Sequence, residues 1–214
     1  LNRVFPGSEN GSLASQFAYH FRTRIAPIVD YAIDFHTGSA DRDNITQIRC
    51  NLNGEGMHDL AMAFGAPFVI HSKPIPKSIR ETMIKMGKKV LLFEGGKTRS
   101  LDPEVIRYGV NGAINIMRYL GMEEGTPDIA SPSVVIQKTK WLRSPSSGLF
   151  EPEDINGKFV DKKTLLGTIK DPYGEYSKTV RAPFPGYIVC SNTAPIVNRG
   201  DALFHISTEV PADH

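Results

Sequence analysis

In the first part of the chain, short apolar segments alternate with segments in which apolar residues recur at helical spacing. Short apolar segments predict strands, and apolar positions three or four residues apart predict amphipathic helices. The predicted strands are Tyr31–His36, Ile45–Leu52, Phe68–His71 and Val90–Phe93, and the predicted helices are Leu13–Ile25, Met57–Phe64, Ile79–Met86 and 103–119, the last capped by Asp102. Strands that alternate with helices predict an α/β fold with a mostly parallel sheet flanked by helices.

The pattern changes after Gly125-Thr126-Pro127, where helical periodicity ends and many of the turns contain proline. Short apolar segments between such turns predict a small all-β domain. We therefore predict an α/β domain at residues 1–126 and an all-β domain at residues 127–214. The strands predicted for the second domain are Val134–Ile136, Gly148–Phe150, Leu165–Ile169, Gly186–Val189 and Ala202–Ile206.

The composition is that of an ordinary globular protein, with 40% hydrophobic and 22% charged residues. The 25 basic and 23 acidic residues give a formal net charge of +2, which argues against nucleic acid as a partner. No apolar run is long enough to span a bilayer, so no membrane partner is expected. Cys50 and Cys190 fall in different predicted domains, which argues against a disulfide and favours a reducing, cytoplasmic location.

A histidine lies where the first predicted strand ends. Ile33-Asp34-Phe35-His36 leads into a polar loop that contains glycine, and such strand ends often carry the chemistry of α/β proteins. Asp34 lies two residues before His36 and therefore on the same face of the strand. His36 is a candidate metal ligand with a carboxylate partner, although a histidine that only completes core hydrogen bonds is equally compatible with this segment.

A glutamate and an Asn-Arg pair are two further candidates. Glu94 follows the apolar strand Val90–Phe93 and precedes two glycines, which permit close approach of a ligand or of backbone. A carboxylate in that position suits a general base, and an ordinary turn glutamate is the alternative. Asn2 and Arg3 lie beside a Phe-Pro-Gly turn and offer amide and guanidinium donors to a carboxylate.

These segments, LNRVFPG, IDFHTGS and LLFEGGKT in that order, resemble the succinylglutamate desuccinylase/aspartoacylase family of zinc carboxypeptidase-like proteins. The resemblance covers the chain from Leu1 to about Gly121. It implies a zinc-dependent amidohydrolase that cleaves the amide of an N-acyl amino acid or a related carboxylate-bearing substrate. By the same resemblance, His36 is a zinc ligand and Glu94 activates the attacking water. Asn2 and Arg3 bind the substrate carboxylate.

The zinc site that the resemblance implies is incomplete in this sequence. The family holds zinc through a His-x-x-Glu pair and a later histidine, which His36 matches. No histidine of the chain has a glutamate three residues later. The other two ligands are therefore expected upstream of Leu1, in a longer enzyme. Two alternatives stay open: a carboxylate-binding homologue without zinc or activity, and a metallocarboxypeptidase that acts on short peptides. A homo-oligomer also stays open.

Two further features carry weaker expectations. The segment APFPGYIV makes the predicted β domain resemble a biotinyl/lipoyl-like module, but the chain has no Met-Lys pair for cofactor attachment. We expect this domain to shape the site entrance or to mediate oligomers. Four polar residues near the candidate site either contact substrate or belong to polar surface turns, and they are Arg42, Asn44, Lys97 and Thr98.

Overall fold

The computed structural model describes residues 1–208 and confirms the α/β class, with a further β-rich region after it. Its helices are α1 (Leu13–His20), α2 (Met57–Phe64), α3 (Ile79–Lys85) and α4 (Pro103–Tyr119), and a π-helical turn (Phe21–Ile25) and a 3₁₀ turn (Ala26–Ile28) follow α1. Its strands are β1 (Tyr31–Gly38), β2 (Arg42–Cys50), β3 (Phe68–His71), β4 (Lys89–Lys97), β5 (Val134–Ile136), β6 (Thr139–Arg143), β7 (Gly148–Pro152), β8 (Phe159–Val160), β9 (Leu165–Lys170), β10 (Ser177–Arg181), β11 (Gly186–Asn192), β12 (Ile196–Val197) and β13 (Ala202–Ser207). No helix within residues 1–208 is long and apolar enough to cross a membrane.

The α/β part of the sheet has the strand order β1-β4-β2-β3-β5. Three of these pairings are parallel, and the pairing of β2 with β4 is antiparallel. The predicted mostly parallel sheet flanked by helices is thus confirmed for this part. Because β2 runs against β4, the beginning of β2 lies at the same edge as the ends of β1 and β4. Three strand termini therefore meet at one place.

The β-rich region joins the same sheet. The first residues of β2 pair with β11, and the sheet continues through β13 to β6. A second sheet of four antiparallel strands has the order β10-β9-β7-β12, and an apolar core that includes Leu166, Ile188 and Phe204 involves strands of both sheets. The division of the chain into domains at residues 126 and 127 stays a prediction.

Alternation along β1 and β4 gives the sheet two chemically different faces. Ile33 and Phe93 point into the core formed with α2 and α4. Asp34, His36 and Glu94 point to the opposite face, where they line a cleft. This arrangement follows from the two-residue period of a strand, which separates apolar and polar side chains that alternate in the sequence. The layer around α3 and the turns after α1 covers the beginning of that opposite face and leaves its end open.

The structure corrects two predicted boundaries near the candidate site. Strand β4 does not end at Phe93 but continues to Lys97, so Glu94 lies within the strand. Strand β2 begins at Arg42 and not at Ile45, because its first residues gain hydrogen-bonding partners in β11. The glycine after Glu94 serves packing: a Cβ atom on Gly95 would lie 2.7 Å from Val105 Cγ1 of α4. The close neighbour there is the side chain of Val105.

Two buried glycines of α4 make a matched test of this packing. A Cβ atom at Gly112 would lie 2.1 Å from Phe64 Cε1, whereas one at Gly109 would lie 3.5 Å from Phe35 Cε1. We expect Gly112→Ala to lower the free energy of unfolding by about 1–3 kcal/mol through overpacking. Gly109→Ala should raise it by up to about 1 kcal/mol, because alanine favours the helix. Urea unfolding of both variants measures the two effects, and changes of the same sign would contradict this account of the α2–α4 contact.

Candidate active site

A cleft of about 330 Å³ opens where β1, β4 and β2 meet, and it contains all four residues predicted for the site. His36 and Glu94 are register partners on the parallel strands β1 and β4, so their side chains stand beside each other on one face. Asn2 and Arg3 line the same cleft from the N-terminal segment. The structure thus brings the four candidates together, while their chemical roles stay predictions.

His36 is paired with the carboxylate that precedes it on the strand face. The distance from His36 Nε2 to Asp34 Oδ2 is 3.0 Å. The close contact with the Asp34 carboxylate raises the pKa of His36 above its ordinary value of 6.5, against the lowering effect of burial. Asp34 therefore orients the ring and favours its protonated form in the metal-free protein. Asp34 contacts Nε2, so Nδ1 is the ring nitrogen that it does not engage.

The raised pKa can be tested directly. We expect an NMR titration of the His36 ring in the metal-free protein to have a midpoint above 6.5, and Asp34→Asn to move that midpoint down. Because folding raises this pKa, protonation of His36 stabilises the fold below its unfolded-state pKa, and this contribution is lost as the pH rises through the folded-state pKa. The exposed His58 serves as the internal control. A midpoint that does not respond to Asp34→Asn would refute the pairing.

Glu94 is held by a neighbour from β2. Asn44 Nδ2 donates a hydrogen bond to Glu94 Oε2, and Asn44 itself is buried. The bond restrains the carboxylate through Oε2, and Glu94 lines the cleft. Asn44, which the sequence left open between substrate contact and surface turn, therefore lies in the cleft and orients the candidate base.

Asn2 is held by the beginning of α3, and Arg3 follows it on the rim of the cleft. Asn2 Oδ1 accepts a hydrogen bond of 2.9 Å from the backbone N–H of Ile79, the first residue of the helix. The Arg3 guanidinium donates to the backbone oxygen of Asn2 and is otherwise exposed. The amide N–H₂ of Asn2 and the remaining guanidinium N–H groups are then available to an anion in the cleft.

The sequence analysis missed Arg80, which lies on α3 and lines the cleft. Arg80 is only 5% exposed, and it donates to the backbone oxygens of Arg49 and Lys73 and to Ser72 Oγ. Burial, and then the charge of Arg49, lowers its pKa from the ordinary value. The available signal was its position three residues before Met83, on the buried side of the helix. The hydrogen-bond acceptors of Arg80 are all neutral, and the charges of Glu94 and Asp34 compensate its charge only in part, so an anion in the cleft would be favourable.

The charges of the whole cleft favour an anionic ligand. Four arginines line it, at positions 3, 42, 49 and 80, against the two carboxylates Asp34 and Glu94.

Two further residues left open by the sequence, Lys97 and Thr98, lie outside the cleft. Lys97 Nζ is 3.5 Å from Asp43 Oδ2, and the Thr98 hydroxyl donates to the backbone oxygen of Gly38. Neither Lys97 nor Thr98 lines the cleft.

The chain belongs to the succinylglutamate desuccinylase/aspartoacylase family, because the family model of the catalytic domain matches residues 1–120. This confirms the resemblance of the three sequence segments. A curated relative, the N-alpha-acetyl-L-2,4-diaminobutyric acid deacetylase of Halomonas elongata, is 24% identical over 223 residues. The alignment covers 98% of this chain, which spans 65% of the length of that relative.

Solved structures show the same fold. The apo structure of the ectoine utilization protein EutE (DoeB) from Ruegeria pomeroyi superposes with a TM-score of 0.87 at 22% identity, over 97% of this chain and 69% of that one. A succinylglutamate desuccinylase/aspartoacylase structure from Rhodobacter sphaeroides has a TM-score of 0.86 at 23% identity, over 96% of this chain and 66% of that one.

The described residues fit a zinc ion only in part. Within residues 1–208 there is no group of three or more His, Cys, Asp and Glu side chains arranged to hold a metal ion. The Asp34 carboxylate contacts one ring nitrogen of His36, as a supporting carboxylate does for a metal-binding histidine. His36 could therefore serve as one metal ligand. A catalytic zinc needs three protein ligands, so two would have to come from outside these residues.

Proposed function

We propose that this chain forms the larger part of a zinc-dependent deacylase that hydrolyses the amide of an N-acyl amino acid. The observation that carries the proposal is the single cleft in which His36 and Glu94 stand side by side, next to Asn2, Arg3 and the buried Arg80. Membership of the succinylglutamate desuccinylase/aspartoacylase family and the similarity to a curated N-acetyl amino acid deacetylase support it.

The residues of the chain divide the work of such a reaction. Arg3, Asn2 and Arg80 hold the carboxylate of the substrate, so that its amide carbonyl lies over His36 and Glu94. Glu94, oriented by Asn44, takes a proton from the attacking water at Oε1 and returns it to the nitrogen of the leaving amine. The products are a free amino acid and a carboxylate.

Zinc is proposed as the cofactor, with His36 as one ligand and two others that residues 1–208 do not supply. When bound, the ion would lower the pKa of a water molecule and polarise the acyl carbonyl. Asp34 would keep the His36 ring in the orientation that metal binding requires. The cytoplasm is proposed as the compartment, because Cys50 and Cys190 are both free and buried.

Intact mass and zinc content of the protein from its source organism test this proposal. A chain longer than 214 residues with about one zinc per chain would support the hydrolase. A native 214-residue chain without metal would favour the second candidate, a binding protein that retains the carboxylate pocket. Assays of N-acetyl amino acids against short peptides would then separate a deacylase from a carboxypeptidase.

A further inference from the structure

One arginine of the cleft has its side chain held by a buried amide. Arg49 of β2 lines the cleft, and its Nε donates a hydrogen bond of 3.0 Å to Gln47 Oε1. Gln47 is 0% exposed, and its Nε2 donates to the backbone oxygens of Ile45 and Val189 at 3.2 Å and 3.4 Å. Because the amide nitrogen is engaged in this way, the amide oxygen is the atom that faces Arg49.

A β-bulge in β2 turns Gln47 and Arg49 toward the cleft. In the pairing of β2 with β4, Asn44 lies opposite Gly96 and Gln47 lies opposite Glu94, so β2 contains one residue more than β4 in this interval. An extra residue reverses the faces on which the following side chains stand. Gln47 and Arg49 therefore share the face of Asn44 and Glu94, which strict alternation along the strand would not give them.

Arg49 stands next to Arg80 and has no negative partner of its own. Arg80 Nη1 donates to the backbone oxygen of Arg49 over 3.3 Å, and the charge of Arg49 lowers the pKa of Arg80 after the larger effect of burial. Within residues 1–208, Gln47 is the only hydrogen-bond partner of the Arg49 side chain, and no carboxylate forms an ion pair with it. The bond at Nε leaves the N–H groups of both terminal nitrogens for a ligand.

We propose that Gln47 is a positioning residue, which holds Arg49 so that its two terminal nitrogens bind the carboxylate of the substrate together with Arg80. The inference rests on the proposed function and deepens it, since that function assigns this carboxylate to Asn2, Arg3 and Arg80 alone. A guanidinium that is already fixed at Nε loses less conformational entropy when it binds a planar carboxylate than a mobile one does. Through its bond to β11, the amide also links the β-rich region to substrate binding.

A double-mutant cycle tests the positioning role in the zinc-loaded, full-length protein with Glu94→Gln, which prevents turnover. Calorimetry measures the binding of N-acetyl-L-alanine. We expect Arg49→Met to weaken binding about tenfold or more, because charge-assisted hydrogen bonds are lost. Gln47→Met should weaken it about three- to tenfold in the protein with Arg49, but by less than about twofold in the Arg49→Met background, since residues that act as a unit are not additive.

Three further variants separate this role from an effect on the fold. Gln137→Met changes an exposed glutamine outside the cleft and should leave the affinity unchanged. Arg49→Lys keeps the charge but has no Nε–H group for the amide, so it should bind more weakly than the protein with Arg49 and should not respond to Gln47→Met. Gln47→Asn, whose amide is one methylene shorter, replaces Gln47→Met if melting curves show that the latter does not fold.

Equal weakening by Gln47→Met in both backgrounds would show that Gln47 supports the fold alone. An unchanged affinity of Arg49→Met would remove Arg49 from the carboxylate site. Either result would overturn this inference and leave the proposed function standing. If the Glu94→Gln protein without a further change does not bind N-acetyl-L-alanine, the proposed function fails and this inference fails with it.

Discussion

Glu94→Gln is expected to lower kcat for deacylation by about 100- to 10,000-fold, the usual contribution of a positioned general base. The amide of glutamine has nearly the same shape as the carboxylate and can still accept the hydrogen bond from Asn44. It cannot take a proton from water, so the chemical step suffers while substrate binding does not. Initial-rate kinetics of the zinc-loaded, full-length protein with an N-acetyl amino acid provide the measurement.

The matched control is Glu104→Gln, which neutralises an exposed glutamate in the first turn of α4, outside the cleft. It should leave kcat and KM within about twofold of the unchanged enzyme, because surface charge changes have small effects. If Glu94→Gln raised KM at an unchanged kcat, Glu94 would be a binding residue and another group would have to act as the base.

Arg80→Met is expected to weaken the binding of an N-acetyl amino acid roughly 30- to 4,000-fold, since truncating one partner of a buried charge pair costs about 2–5 kcal/mol. The arginine is buried, and its three acceptors in the protein are neutral. The ligand carboxylate would add to the partial compensation that Glu94 and Asp34 provide. Arg80→Lys keeps the charge but loses the planar pair of donors, so we expect an intermediate loss.

Calorimetric titration with N-acetyl-L-alanine measures this loss, and a melting curve of each variant separates it from unfolding. Arg107→Met, at an exposed arginine of α4 that pairs with Glu104, is the control and should bind as the unchanged protein does. A folded Arg80→Met variant with unchanged affinity would show that Arg80 only anchors the segment around Ser72 to α3.

The site residues predicted from the sequence share a simple physical basis. His36 and Glu94 each follow an apolar strand segment, and the two-residue period of a strand predicts which face their side chains occupy. Helix α4 was predicted from an equally local signal. Its cap Asp102 accepts hydrogen bonds from the backbone N–H groups of Glu104 and Val105. Signals of this kind depend on neighbours within a few residues.

The features that the sequence analysis missed depend on distant partners. Strand β2 was predicted too short because its first residues pair with β11, almost 150 positions later in the chain. In the sequence, Arg80 is an ordinary arginine of a predicted helix, and its burial depends on the tertiary structure. Trp141 lies outside the segments that carried the resemblance, and only the continuation of the sheet to β6 brings it to the cleft.

By itself, the sequence determined the α/β class, the family and four of the residues that line the cleft, because these follow from local periodicity and short motifs. Only the tertiary structure decided the antiparallel direction of β2 relative to β4, the burial of Arg80 and the position of Trp141 at the cleft. The physical reason is that strand pairing and desolvation are set by contacts between residues far apart in the chain.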